Sequence, residues 1–285
     1  VDCLTRSRSK RQGAERKSGN PQLAAFAKGL QRHGIEPVRK LYSDRPEPCN
    51  VAVAWAFRNR RLVDQQRLTG GRFLTTELGY VGDREAWTSL GWDGLNGKAD
   101  FGFGGPWHQS ERSADPKRWQ TLFPDLVKPW RVNKDGYVLL IGQVEGDAAL
   151  HGADIRRWYV ATARAAQRAY RRPVMFRPHP KGSLRQMPLV PNARGSSLEQ
   201  ALEGAMVVVT FSSNAGVLAA LAGVPVVTLD PGAMAWPVAG HELGELVTPD
   251  REEWCARLAW CQWSLDELAN GEAWAHIGKF ANGSV

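Results

Sequence analysis

The chain has 285 residues, roughly twice the usual size of one domain. Hydrophobic residues at 43% and charged residues at 23% are globular values, which excludes disordered and fibrous classes. The net charge of +8 is uneven: residues 1–72 hold 16 Lys/Arg against 6 Asp/Glu, while residues 73–285 hold 21 against 23.

Asp2–Thr5 reads as a short first strand, followed by the basic Ser/Gly-rich stretch Arg6–Lys17, expected as a loop. Pro21–Gly34 is a predicted helix, because Leu23, Phe26, Ala27 and Leu30 recur at helical spacing and Gly34 ends it. Glu36–Tyr42 and the apolar run Asn50–Phe57 are predicted strands, Arg58–Leu68 a basic helix, and Arg72–Glu77 a further strand. Strand–helix alternation with apolar strands implies a parallel α/β sheet. From Gly79 to Trp130 the periodicity is lost in a Gly-, Asp-, Trp- and Pro-rich stretch, the mark of a functional loop region. Lys128-Pro-Trp130 is expected as a hinge. A second α/β pattern follows: strand Tyr137–Ile141, helix Ile155–Tyr170, strand Pro173–Arg177, helix Ser197–Gly204, strand Met206–Phe211, helix Asn214–Ala222, strand Val224–Leu229 and a long closing helix Asp250–Leu268. The expected domains are 1–130, 131–265 and a helical tail 266–285, the two larger ones being α/β halves with a cleft between them.

Three segments are candidates to carry chemistry, against plainer readings as a turn cap, a helix cap and a surface carboxylate. Phe176-Arg-Pro-His-Pro180 ends a predicted parallel strand, where open α/β sheets bind ligands, and Arg177 and His179 can both donate to phosphate oxygens. Thr210-Phe-Ser-Ser-Asn-Ala-Gly216 ends a strand in hydroxyls and opens a helix. Ser212, Ser213 and Asn214 would join the helix amides as anion donors, or serve only as caps. Glu77-Leu-Gly-Tyr-Val-Gly-Asp83 follows the last strand of the first half, with Glu77 placed to act as general base and Asp83 or Asp93 as substitutes. No Walker loop is present. The absence of a D-x-D triplet leaves protein donors to neutralise a leaving group, with no metal required. The four cysteines (Cys3, Cys49, Cys255, Cys261) form no C-x-x-C pair and are expected to pack.

Val138-Leu-Leu-Ile-Gly-Gln-Val-Glu-Gly-Asp147, the Arg-Pro-His-Pro segment, the Ser-Ser-Asn-Ala-Gly turn and Gly232-Ala-Met-Ala-Trp-Pro237 together resemble the nucleotide-binding half of capsular polysaccharide Kdo transferases. Glu77-Leu-Gly-Tyr80 is similar to that family's carboxylate motif, with Leu78 where a second acid is usual. The resemblance covers about residues 72–97 and 137–265. It implies a GT-B fold, two Rossmann-like domains facing across a cleft, with a sugar nucleotide on the second. The Gly-Tyr-Val-Gly-Asp-Arg…Gly-Trp-Asp-Gly-Leu-Asn-Gly run, with Leu-Ala-Trp-Cys-Gln-Trp-Ser-Leu-Asp-Glu267, resembles phage-encoded glycosyltransferases that modify hydroxymethylated pyrimidines in DNA.

The expectation is a nucleotide-sugar-dependent glycosyltransferase (UDP-sugar, or CMP- or GDP-sugar) acting on 5-hydroxymethylcytosine or a related base in double-stranded DNA. Gln143, Arg177, His179, Ser212, Ser213 and Asn214 would hold the donor. Arg6, Arg8, Lys10, Arg11, Arg58, Arg60 and Arg61 would contact phosphates, and Trp92 (with Trp107) would stack on a flipped base or a sugar ring, or else pack in the core. Two other readings are a surface-glycan transferase and a non-catalytic DNA-binding protein on the same fold. No apolar run reaches the ~18–20 residues that span a bilayer, and Val1-Asp2-Cys3 does not read as a signal peptide. A cytoplasmic location, that of the host cell if phage-encoded, is expected.

Overall fold

A computed structural model of the chain describes residues 3–7, 20–41, 47–56, 60–195 and 197–281. In chain order the elements are β1 (Cys3–Ser7), α1 (Pro21–Arg32), β2 (Pro37–Leu41), β3 (Val51–Trp55), α2 (Arg60–Thr69), β4 (Arg72–Leu78), β5 (Thr88–Trp92) and α3 (Lys117–Leu122). There follow β6 (Tyr137–Ile141), α4 (Ile155–Tyr170), β7 (Val174–Arg177), α5 (Leu198–Glu203), β8 (Ala205–Thr210), α6 (Ala215–Leu221) and β9 (Val226–Thr228). The chain ends on α7 (Glu252–Ala259), β10 (Gln262–Trp263), α8 (Leu265–Asn270) and α9 (Glu272–Ile277). They form two compact units, one of residues 1–114 with 257–285 and one of residues 115–256.

The first unit holds a six-stranded sheet in the order β10-β5-β4-β3-β1-β2. The β1–β4 pairings are parallel, while β5 runs antiparallel to β4 and β10 antiparallel to β5. β3 is buried on both faces, so its alternate residues serve two cores. Val51 and Val53 join Phe26, Leu30 and Leu74, together with Trp263, Leu268, Trp274 and Ile277 from the end of the chain. Ala52 and Ala54 join Leu62, Val63 and Phe73 on the α2 side. Gly29 lets α1 meet α8, because a Cβ there would lie 2.0 Å from the Leu268 carbonyl oxygen. Arg32 Nε and a His33 ring nitrogen meet the carbonyls of Ala269 and Gly271 at 3.1 and 2.9 Å.

Three expectations change here. The stretch 79–130 contains β5 and α3 and is divided between the units at 114/115. Lys128–Trp130 is no hinge but is fastened inside the second unit: the Lys128 amide donates to Leu221 O at 2.7 Å, Trp130 Nε1 donates to Pro249 O at 2.8 Å, and Arg251 lies 3.9 Å over the Trp130 ring. The predicted closing helix 250–268 breaks after Ala259, and β10 intervenes before Ser264 starts α8 with a Ser264/Glu267 capping box. The residues expected as a separate tail from 266 therefore complete the first unit's core.

The second unit is regular. Its sheet is wholly parallel, ordered β7-β6-β8-β9. One core joins Val138, Leu140, Phe176, Val207 and Val209 to Tyr159, Ala163 and Ala166 of α4. α6 packs on β8 and β9. Cys255 and Cys261 are free and buried in their respective units. Among the described residues no helix is long and apolar enough to cross a membrane.

Candidate functional site

In the second unit β6 lies between β7 and β8, and the chain leaves β6 toward β7 before returning to β8 on the other side. The carboxyl ends of β6 and β8 thus flank the point where strand order reverses, where open α/β sheets bind ligands. Three of the segments read from the sequence meet along this edge. Gly142 after β6 donates its amide to Arg177 O at 2.8 Å, and a Cβ at Gly142 would come within 2.9 Å of the His179 amide nitrogen. Only glycine lets the Arg-Pro-His-Pro turn close so tightly on the end of β6.

The reversal point itself is braced. The Gln143 side chain receives the Ser212 amide at 2.9 Å on Oε1 and donates from Nε2 to Ser212 Oγ at 3.2 Å. Ser212 is buried at 4% exposure and its hydroxyl donates to Ala149 O at 3.2 Å. Gln143 and Ser212, expected as ligand donors, thus spend these groups on each other and hold two strand ends in register. Ser213 Oγ accepts the Ala215 amide at 3.2 Å, which leaves its O–H to donate elsewhere. Asn214 opens α6 in helical conformation, without a side-chain cap bond.

Arg177 and His179 are half-buried. Burial lowers the Arg177 pKa, against the opposing pull of Glu199, and among the described residues no hydrogen bond or ion pair engages its guanidinium. His179 Nδ1 accepts the Lys181 amide at 3.0 Å, so the neutral imidazole carries its proton on Nε2. The turn beyond is tied back by Glu145, which accepts hydrogen bonds from Ser183 and, at 3.0 Å, from Arg156. The arrangement offers a guanidinium, an imidazole N–H and a serine hydroxyl at one edge, a donor set for phosphate oxygens.

No protein-family model matches the chain, and no curated protein matches it. Solved structures do. The β-Kdo 2,7 transferase of Thermosulfurimonas dismutans KpsC aligns over 95% of this chain and 98% of its own, with a TM-score of 0.58 and 14% identity. The β-Kdo 2,4 transferase of the same KpsC aligns over 93% and 97%, with a TM-score of 0.58 and 15% identity. The likeness is one of fold. The chain is α/β and GT-B-like, built of two Rossmann-like units.

Glu77 lies in the first unit at the penultimate position of β4, half-buried and paired with Ser89 of β5. The loop after it is closed by Gly79, whose amide donates to Arg84 O and Trp87 O at 3.1 and 2.9 Å, and by Arg84 Nε, which returns to Gly79 O at 2.5 Å. Burial lowers the Arg84 pKa, while the nearby Tyr80 and Glu77 raise it, so a cation stands beside the Glu77 carboxylate. Asp83 is exposed and caps the Glu85 amide at 3.1 Å. Asp93 is committed to an ion pair with Arg72 and to the Phe73 amide at 2.8 Å.

Sequence reasoning missed Gln262. This fully buried side chain accepts the Tyr80 and Val81 amides at 2.7 and 3.0 Å and donates to Val81 O at 3.1 Å. No local signal marks it, since its partners lie some 180 residues away. Among the described residues no group of three or more His, Cys, Asp or Glu is placed to hold a metal ion.

The expected nucleic-acid contacts fare differently. Trp92 is a correction: it is 1% exposed in the first unit's core, its Nε1 donating to Ile277 O at 3.0 Å, so no ring face is open to a base. Trp107, also 1% exposed, packs between Phe101 and Phe103 beneath Arg257. Arg61 is exposed on α2. Arg6 falls in β1 and Arg60 opens α2, and Arg8, Lys10, Arg11 and Arg58 lie outside the described residues. A cavity of about 400 Å³ in the second unit, lined by Trp119, Trp130, Arg251 and Cys255 among others, contains none of the predicted site residues.

Proposed function

We propose that the protein is a glycosyltransferase that takes a sugar from a nucleotide donor held at the carboxyl edge of β6, β7 and β8. The support for this is the placement of Arg177 and His179 after β7 and of Ser213 after β8, on either side of the braced end of β6, in a chain whose fold matches two Kdo transferases over nearly its whole length. The half-buried Arg177 guanidinium would offset the charge of the departing phosphate as the anomeric C–O bond breaks, and His179 would donate a hydrogen bond to it. Glu77 would take the proton of the acceptor hydroxyl whose oxygen forms the new bond.

For the acceptor we propose the hydroxymethyl group of 5-hydroxymethylcytosine, or a related hydroxymethylpyrimidine, in double-stranded DNA. The support is charge: an excess of +10 over residues 1–72 against −2 over the remainder suits a polyanion, because clustered cations release its counterions. The base would leave the stack to present its hydroxymethyl group to the Glu77 carboxylate. A surface-glycan acceptor is the second reading, favoured by the fold likeness to the two Kdo transferases.

The test is incubation with hydroxymethylcytosine DNA and with oligosaccharides in the presence of UDP-, GDP- and CMP-sugars, followed by mass spectrometry. A mass gain on the nucleoside is expected. Gain only on saccharide selects the second reading, and no gain on either acceptor rejects the transferase.

A further inference from the structure

The loop after β9 carries an aromatic pair that neither the catalytic reading nor the phosphate donors use. His241 lies flat on Trp236, ring centroids 3.5 Å apart and planes 11° from parallel. The imidazole is exposed, yet it is held at several points. A ring nitrogen, Nε2, meets Trp236 O at 3.1 Å. The Glu245 carboxylate accepts the His241 and Glu242 amides at 2.6 and 3.0 Å. Those two amide bonds, together with the charge of His241, keep the Glu245 carboxyl below its usual range. Gly240 makes this possible, because a Cβ there would stand 2.5 Å from Glu245 Oε2. Gly240 also pairs beside Val227, with Thr228 donating to its carbonyl at 3.0 Å, which fixes the turn to the sheet.

The loop that carries the pair starts beside the end of β8, and its far side is tied to α4, where Tyr170 Oη donates to Glu245 O at 3.0 Å. Leu229 and Asp230 donate to Thr210 O and Phe211 O at 3.1 and 3.2 Å, so the start of this loop runs alongside the end of β8. Ala235, the residue before Trp236, packs on the first turn of α6, its Cβ 3.4 Å from where a Cβ on Gly216 would stand. An exposed ring held flat on an indole is a ready stacking surface.

We infer that the Trp236–His241 pair is the shelf on which the nucleobase of the donor stacks, while Arg177, His179 and Ser213 take its phosphates. This rests on the proposed donor site and assigns the base-binding part of it. Stacking on a π-face does not select one base, so the shelf accounts for affinity and leaves base identity to other contacts.

The experiment is calorimetric titration of the full chain with UDP, CDP, ADP, GDP and inorganic pyrophosphate. At least one nucleoside diphosphate should bind more tightly than pyrophosphate. His241→Ala should weaken that nucleotide about tenfold and leave pyrophosphate affinity unchanged. His241→Phe, which keeps a ring over Trp236, should retain most of the nucleotide affinity. Unchanged nucleotide binding in His241→Ala, or an equal loss for pyrophosphate, overturns the shelf while leaving the phosphate site standing. If neither pyrophosphate nor any of the four nucleotides binds, the donor site falls, and the shelf with it.

Discussion

The two units solve the same architectural problem in different ways. The second unit is built from one continuous stretch, with a parallel sheet whose strands follow one another through helices. The first unit needs both ends of the chain: β4 is followed by an antiparallel β5, and the sheet edge is completed by β10 from some 170 residues later. Regularity in the second unit concentrates polar groups at one strand edge. In the first unit the loop after Glu77 has no such frame, and its own bonds between Gly79, Arg84 and Trp87 are joined by those of a distant glutamine. Local order and long-range order therefore leave different vulnerabilities.

The largest expected effect separates chemistry from architecture. Glu77→Gln should reduce transfer by roughly 10²–10⁴-fold, as loss of a general base does, with nucleotide affinity unchanged. Retained turnover would remove Glu77 as the base and point to Asp83. Removing Arg177 should do the reverse. Arg177→Ala deletes a charge-assisted contact of about 1.5–3 kcal/mol, so pyrophosphate affinity measured by calorimetry should fall roughly ten- to 100-fold with the melting temperature little changed.

Gln262→Met tests the long-range clamp. It strips the hydrogen-bond partner from the Tyr80 and Val81 amides and the Val81 carbonyl. Each such buried group costs about 1–3 kcal/mol when left unpaired, so denaturant unfolding should show a loss of several kcal/mol, and amide exchange should accelerate across residues 79–87. Exchange confined to other segments would mean that the loop holds its own shape.

Gly29→Ala drives a methyl into the Leu268 carbonyl and should cost about 1–3 kcal/mol by overpacking. A neutral result would show that α8 can move away freely.

The smallest effect concerns pH. Hydrogen bonds from Arg156 and Ser183 hold the Glu145 carboxyl below its usual range. A depressed folded-state pKa adds stability above the unfolded carboxylate pKa, and that stability is lost as pH falls through the folded value. Glu145→Gln should therefore be less stable than the parent at neutral pH and approach it in acid, a difference measurable by thermal melts at both pH values.

The contrast also explains what was legible in the sequence. In the second unit Tyr137–Ile141 and Ile155–Tyr170 stand where the apolar pattern puts them, because β6 and α4 pack on neighbours along a regular parallel sheet. That the Arg-Pro-His-Pro segment stands at the end of a strand was legible for the same reason, with Arg177 the last residue of β7 and His179 just beyond it. β5 was not. Thr88-Ser-Leu-Gly-Trp92 is buried throughout and shows no alternation, and its Gly91 is there because a Cβ would strike Ala99 at 2.6 Å. Trp92 stands among glycines that let the backbone close around it, since a Cβ at Gly94 would lie 2.2 Å from Lys98 O. The break before β10 had a signal, the Ser264-x-x-Glu267 capping box, masked by a continuous apolar pattern. The base shelf had none, since the flat stack of Trp236 and His241 depends on a turn set by Glu245.

The contact between Gly29 and Leu268 bears on the order in which the protein can be made. Synthesis runs from the amino end, and domains generally fold as units as they emerge. Here the first unit begins first but cannot finish. Trp263, Leu268, Trp274 and Ile277 belong to its core and arrive only after the whole second unit has been translated. Until then the apolar faces of α1 and β3 wait for half of their partners. The later-made unit holds all of its strands by residue 228, so it is the one equipped to close early. A ribosome stalled near residue 257, or a protease cutting there, would leave a second unit with its sheet in place joined to a first unit with an open core.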